Sequence, residues 1–289
     1  MNVTSTVDRS WVAELSLTVG QLNGHTALLA AKHLGPLRVQ KSFSQPDGSC
    51  HLYLLHPPGG IVGGDTLAVE VRAEQGARVL LTSPSATRFY RSPGQGLVQK
   101  QDVQLSVAAG AHLEWVPLET ILFNGAEARI RHTVQLAADA TYLGWEMFAF
   151  GRRASSETFD AGSLKQESRI LVQDQLIHRE SLSLDNRSSN LLKQQWGARG
   201  SSLVGTLVAV TLQHSHSGIP EVPAALLTAL RDPLNDPNWG ITTKGRVILV
   251  RYLGDSAEQC LGGFEGIRSR LAAEGLIGSA GNRPRIWNT

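Results

Sequence analysis

The chain of 289 residues carries a formal charge of +2, with 18% charged side chains. So weak a field leaves no electrostatic footprint for DNA, RNA or an anionic membrane surface. The length is enough to bury most of the apolar surface without staples, and two cysteines with no C-x-x-C pair indicate neither a disulfide framework nor a zinc ribbon.

The first residues, MNVTSTVDRSWVAELSLTV, lack a basic segment followed by a long apolar run, and nothing later approaches about 18 uninterrupted apolar residues. A soluble, cytoplasmic protein in a reducing compartment is expected. Period two sets in at once: Trp11, Ala13, Leu15, Leu17 and Val19 share one face, with Glu14, Ser16 and Thr18 on the other. The alternation returns at Leu67, Val69 and Val71, at Val103, Leu105 and Val107, and at Ile130, Val134 and Leu136. Three of these strands end in small-residue turns, Gln75-Gly76-Ala77, Ala109-Gly110-Ala111 and Ala138-Asp139-Ala140, each followed by a more apolar strand. A strand–turn–strand unit therefore recurs about every 30 residues. The pattern predicts a mainly β chain, either a stacked, solenoid-like body or a meander of hairpins in a large sandwich.

Between the first two alternating strands lies HPPGGIVGGDT. Gly59, Gly64 and Thr66 nearly spell a phosphate loop, but Asp65 holds the lysine position and a strand pattern follows where a helix is required. Pro57 and Pro58 instead fix an extended approach, and Gly59, Gly60, Gly63 and Gly64 permit positive φ and close backbone approach. The loop is therefore expected to be structural, a corner between two strands. An NTPase or hydrolase using Gly59–Gly64 is the competing enzyme reading, and a structural β binding module the third.

No G-x-S-x-G, H-E-x-x-H or EF-hand pattern is present, and Thr82-Ser83-Pro84-Ser85 has no adjacent histidine, so no catalytic residue is assigned. Cys50 and His56 share one face of CHLYLLH with His51 on the other, so the three do not converge. Arg88, Phe89, Tyr90 and Arg91 mix basic and aromatic side chains and are read as a partner-contact segment. His214-Ser215-His216 is an incomplete metal-ligand set in a loop.

Carboxylates stand where apolar residues are expected. Glu146 lies inside YLGWEMFAF, a run apolar on both faces, and His178 and Glu180 interrupt the row Leu176, Leu182, Leu184. A buried carboxylate is costly unless it is paired, hydrated or coordinating a cation. Asp65, behind its glycines, is a third candidate. Toward the C-terminus, helices are predicted near 222–230 and 257–274, the second with Ser256 as N-cap, around a strand at 246–253; loops are predicted at 185–200 and 214–220.

Taken together, CHLYLLHPPGGIVGGD at 50–65, LLTSPSATRFYRS at 80–92, LEWVPLETILFNGA at 113–126, LGWEMFAFGR at 143–152, ETF at 157–159, WGITTKGRVILVRYLG at 239–254 and PRIW at 284–287 resemble the urease accessory protein D family, called protein H in some organisms. Ser85 and Ser156 stand where that family has glycine. The resemblance implies one domain over 1–289, a β body at about 11–213 with a helix-containing part at about 221–289. It implies a non-enzymatic maturation factor without a tightly bound cofactor. Such proteins bind accessory protein F, which carries the GTPase accessory protein G, and the assembly docks on apo-urease. There nickel and carbon dioxide, the latter as a lysine carbamate, are installed, with nickel passing through the interior of the D protein. Under that resemblance Asp65, Glu146, Glu180 and His178 become the expected transient nickel path.

Overall fold

Alternating strands become two facing sheets here because small-residue corners send each strand and its successor into different sheets. The computed structural model describes residues 10–94, 96–185, 190–212, 222, 224–234 and 236–288. The histidines at 214 and 216 and the proline at 223 lie outside the described residues.

The chain opens with a hairpin, β1 (Val12–Leu22) and β2 (His25–Leu34), turned by Asn23 and Gly24 at φ 51° and 80°, the left-handed pair that a tight hairpin demands. Short strands β3 (Arg38–Val39) and β4 (Phe43–Ser44) pair with β5 (Cys50–Leu55). Coiling then begins. One coil comprises β6 (Thr66–Ala73), β7 (Arg78–Thr82) and β8 (Thr87–Phe89), and the next β9 (Gln99–Val107), β10 (His112–Trp115) and β11 (Thr120–Leu122). A third has β12 (Glu127–Leu136) and the long β13 (Thr141–Arg152), which pairs in parallel with both β10 and β11. After β14 (Glu157–Thr158) the coil closes with β15 (Ser163–Val172), whose hairpin partner β16 (Gln175–Leu184) caps the edge.

The first sheet has the order β16-β15-β12-β9-β6-β1-β2 and is parallel except at its two ends. In the second, β5, β7, β10 and β13 run parallel. It is extended antiparallel by β17 (Leu203–Val210), β19 (Val247–Gly254) and β18 (Trp239–Lys244). The architecture is thus a β-coil of stacked strands rather than a hairpin meander. Ala77, Ala111 and Ala140 are wholly buried at the corners, where neighbouring turns hydrogen-bond to one another and leave no room for a longer side chain.

Period two decides what faces what. Ala13, Leu15, Leu17, Val69, Val71, Leu105, Ile130 and Val134 from the first sheet pack on Leu52, Leu81, Leu113, Tyr142 and Phe148 from the second. The opposite face of β13, with Leu143, Trp145 and Met147, packs under two helices, α2 (Ala224–Arg231) and α3 (Ala257–Ala273); a single short turn, α1 (Asn190–Lys193), precedes β17. The Ser256 side chain accepts from the Gln259 amide as the α3 N-cap, and Cys260, Phe264, Ile267 and Leu271 supply its buried stripe. Trp11 departs from the expected inward face: it precedes β1 and is 54% exposed. Ser156 sits at φ 56°, in the left-handed region, which is the backbone reason glycine suits that position.

Candidate functional site

Two cross-strand rows meet between the sheets. On the first sheet the register aligns Val103, His132, Ser168 and Glu180, with Gln101, Ile130 and Gln166 one row along. On the second it aligns Glu146, Thr206 and Arg251. The sheets therefore bury a polar band inside an otherwise apolar interface.

Glu146 and Glu180 are brought together there. A Glu146 carboxylate oxygen accepts from the Gln166 amide at 2.7 Å. Glu180 Oε1 accepts from Arg251 at 2.6 Å and from the Thr206 hydroxyl at 3.3 Å. Its Oε2 lies 3.8 Å from His178 Nε2, beyond hydrogen-bond distance, and both atoms are buried without a partner. Burial pushes the Glu146 carboxyl up to about 7, with the Gln166 amide opposing the rise and the charge of Glu180 adding to it. Burial would raise Glu180 too, but His178 and Arg251 outweigh it and hold that carboxyl below its usual range.

A cavity of about 380 Å³ leads to this band, walled by Leu67, Val69, Leu81, Val103, Trp115 and Phe148. Gln101, His132 and Glu146 are among its lining residues. His132 and Glu146 also line a smaller space of about 20 Å³ that continues to Glu180 and Thr206, room for about one water. The rim of the larger cavity carries exposed Pro57, Gly59 and Ser85, so the loop HPPGGIVGGDT frames its mouth. In that loop Gly59 and Gly64 take φ of 81° and 92°, whereas a Cβ on Gly60 would sit 2.3 Å from the Tyr90 ring and one on Gly63 2.7 Å from Pro93. Pro57 and Pro58 are exposed at its start, and the chain runs on into β6 with no helix, so the backbone for gripping a phosphate is missing.

Asp65 is not in contact with the other carboxylates. Its Oδ1 accepts from the Trp11 amide at 2.9 Å and its Oδ2 from the Val62 amide at 3.0 Å, so it fastens the loop to the start of β1. Its charge bears on His56 at the rim, whose imidazole burial lowers and Asp65 partly restores. Among the described residues no three His, Cys, Asp or Glu side chains gather as a metal cage.

The segment 88–91 is also redistributed. Phe89 is fully buried in the core, which removes it from any partner surface. Arg88 lines the cavity and donates to the Gly59 carbonyl, Tyr90 packs edge-on against Phe123 and only Arg91 is well exposed. Four residues of the band, Gln101, His132, Thr206 and Arg251, are additions that the same alternation signals: Gln101 has the parity of Val103 and Leu105, His132 that of Ile130 and Val134, Thr206 that of Val204 and Val208, and Arg251 that of Val247 and Leu249.

Residues 12–288 match the family described as UreD urease accessory protein. The chain belongs to that family. Proteins called urease accessory protein UreD are similar along nearly the whole length. The one from Saccharophagus degradans is 40% identical over 282 residues, covering 97% of this chain and 94% of that protein. The one from Chromohalobacter salexigens is 38% identical, covering 97% and 90%, and that from Klebsiella pneumoniae 36%, covering 97% and 96%. Membership of the UreD family places the buried band in a protein accessory to urease and supports a role in urease maturation. No described helix is long and apolar enough to cross a membrane.

Glu146 makes the stability of the folded chain depend on pH in a definite direction. Burial pushes its carboxyl up to about 7 from the ordinary 4.5, so the folded state holds the extra proton between those limits. Stability attributable to this proton is complete below the unfolded pKa and is lost as pH rises through about 7. Relative to wild type, Glu146→Gln is therefore expected to gain about 2 kcal/mol between pH 5 and pH 8, read from denaturant midpoints at the two pH values.

Proposed function

We propose that this chain is a non-catalytic, cytoplasmic urease maturation factor that binds accessory protein F with its GTPase partner, protein G, docks the assembly on apo-urease and conducts nickel between its two sheets. The observation that carries the proposal is the polar band of Glu146, Glu180 and His178 buried between sheets of a UreD-family chain, with Glu180 Oε2 and His178 Nε2 left unpartnered. A borderline cation passes along scattered oxygen and imidazole groups when no single site holds it too tightly, whereas a closed four-ligand cage would retain it. Glu146 supplies a carboxyl that gives up its proton near neutrality, Glu180 a standing negative charge, and His178 a nitrogen beside it. Asp65 contributes by holding the rim loop in place. Nickel is cargo in this scheme, and GTP hydrolysis belongs to protein G.

Capture supplies the test. Tagged chain is expected to retain proteins F and G and apo-urease from cells expressing all four, with nickel in the captured complex, and to bind no labelled GTP or ATP by itself. Failure to retain F and urease would overturn the scaffold role, and nucleotide binding by the isolated chain would overturn the non-catalytic one.

A further inference from the structure

We propose that His132 Nε2 and Gln101 Oε1 form, with Glu146, a cation waypoint at the junction of the two cavities, in which His132 is the nitrogen donor that favours a transition ion such as Ni²⁺ over Mg²⁺. This inference rests on the nickel-passage reading and adds to it the means of selection.

Both atoms are buried and have no hydrogen-bond partner. Orphaned buried polar atoms are rare because each forfeits the hydration it had in water, so two on adjacent strands mark a place that a further group occupies. The register puts them side by side: Gln101 pairs with Ile130, Val103 pairs with His132, and all four belong to neighbouring positions of β9 and β12. Gln101, His132 and Glu146 line the larger cavity, and His132 and Glu146 line the smaller one as well, so anything moving from the rim towards Glu180 passes them.

The imidazole is held for the purpose. Trp115 and Tyr142 stand edge-on to it, with ring centroids at 5.6 and 6.3 Å, which restricts its rotation. Its Nε2 is buried and unpartnered, and an unprotonated imidazole nitrogen is the atom that coordinates. An amide oxygen, a neutral imidazole and a carboxyl make a mixed set. Mg²⁺ prefers oxygen ligands and keeps its waters, whereas Ni²⁺ gains from imidazole nitrogen. Three such groups are also too few to trap the ion, which suits onward movement to Glu180 and His178.

The test uses the assembled complex of this chain with its accessory partners and apo-urease. Urease activation is measured at fixed Ni²⁺ while Mg²⁺ is raised, for wild type, His132→Leu and Glu180→Gln. His132→Leu is expected to be halted by about tenfold less Mg²⁺ than wild type. In the isolated chain it should also lose the visible absorption that Co²⁺, standing in for Ni²⁺, acquires on nitrogen ligation. Should His132→Leu lower the thermal midpoint, His132→Gln, which keeps a polar side chain of similar reach, is read in its place. Unchanged Mg²⁺ sensitivity and an unchanged Co²⁺ spectrum would overturn the waypoint and leave His132 bound to water alone. If Glu180→Gln also activates normally, the passage itself fails, which separates the two readings.

Discussion

Replacing Arg268 with methionine is expected to lower folding stability by about 3–5 kcal/mol, because it leaves a fully buried carboxylate with His112 as its one remaining side-chain partner among the described residues. Glu114 on β10 is fully buried under α3, in a register row with Leu80 and Leu143. Arg268 Nε donates to its Oε2 at 2.5 Å, and a second guanidinium nitrogen donates to the Gly281 carbonyl. His112 Nε2 meets the other Glu114 oxygen at 3.0 Å, while His112 Nδ1 lies 2.8 Å from the Thr141 hydroxyl. That hydroxyl in turn accepts from the Gly278 amide. The chain of bonds therefore ties α3 and the segment after it to the second sheet. Burial would raise Glu114, but His112 and Arg268 outweigh it and keep it ionised.

Without Arg268, Glu114 keeps only the His112 contact and must stay charged and under-compensated or take up a proton. Its carboxyl then rises, so the deficit is fullest above that raised folded value and shrinks as pH falls towards the unfolded pKa. Arg268→Met combined with Glu114→Gln removes the orphaned ion at Glu114 and is expected to recover part of the loss, since Glu265, 3.7 Å from Arg268, still loses its cationic neighbour. Denaturant midpoints of the single and double variants at pH 8 decide the matter: a single variant within about 1 kcal/mol of wild type would show that the pair does not bear on stability.

Much of this was legible in the residues. Alternation placed the inward faces of β6, β9 and β12, whereas the small-residue turns at Ala77, Ala111 and Ala140 suited a coil and a hairpin meander equally, and the parallel pairing of β6, β9 and β12 decides for the coil. The run around Glu146 read as apolar on both faces, and both faces are buried, one between the sheets and one beneath the helices. The same rule applied to HLEWVPL would have flagged Glu114. What period two cannot supply is the partner across the gap. Glu180 and Arg251 are 71 residues apart, and only the pairing of β17 with both β13 and β19 sets Arg251 beside it. Nor does composition reveal that backbone amides of Trp11 and Val62 consume the Asp65 carboxylate, which is why Asp65 looks like a ligand in sequence and serves as a loop fastener in the fold.

The largest functional effect is expected from the paired substitution Glu146→Gln with Glu180→Gln, which on the proposed passage lowers urease activation and nickel content in cells by about 100-fold. A divalent ion between two sheets is stable only where negative charge faces it, since solvation lost on entering the interior has to be returned by ligands. Glu146 releases its proton near neutrality and becomes anionic as the ion arrives; Glu180 is anionic throughout, with Oε1 engaged by Arg251 and Thr206 and Oε2 open towards His178. Either single change leaves one anionic group, so each is expected to be milder, about tenfold. The pair leaves only neutral amides facing a double positive charge, with the Arg251 guanidinium no longer balanced by Glu180. Gln keeps the shape of each side chain, and relief of the Glu146 burial cost should leave the double variant folded. Co-purification of the double variant with its partners, measured beside activation, separates a blocked passage from a failed docking surface. Normal activation by the double variant would remove nickel conduction from this chain while leaving its scaffold role standing.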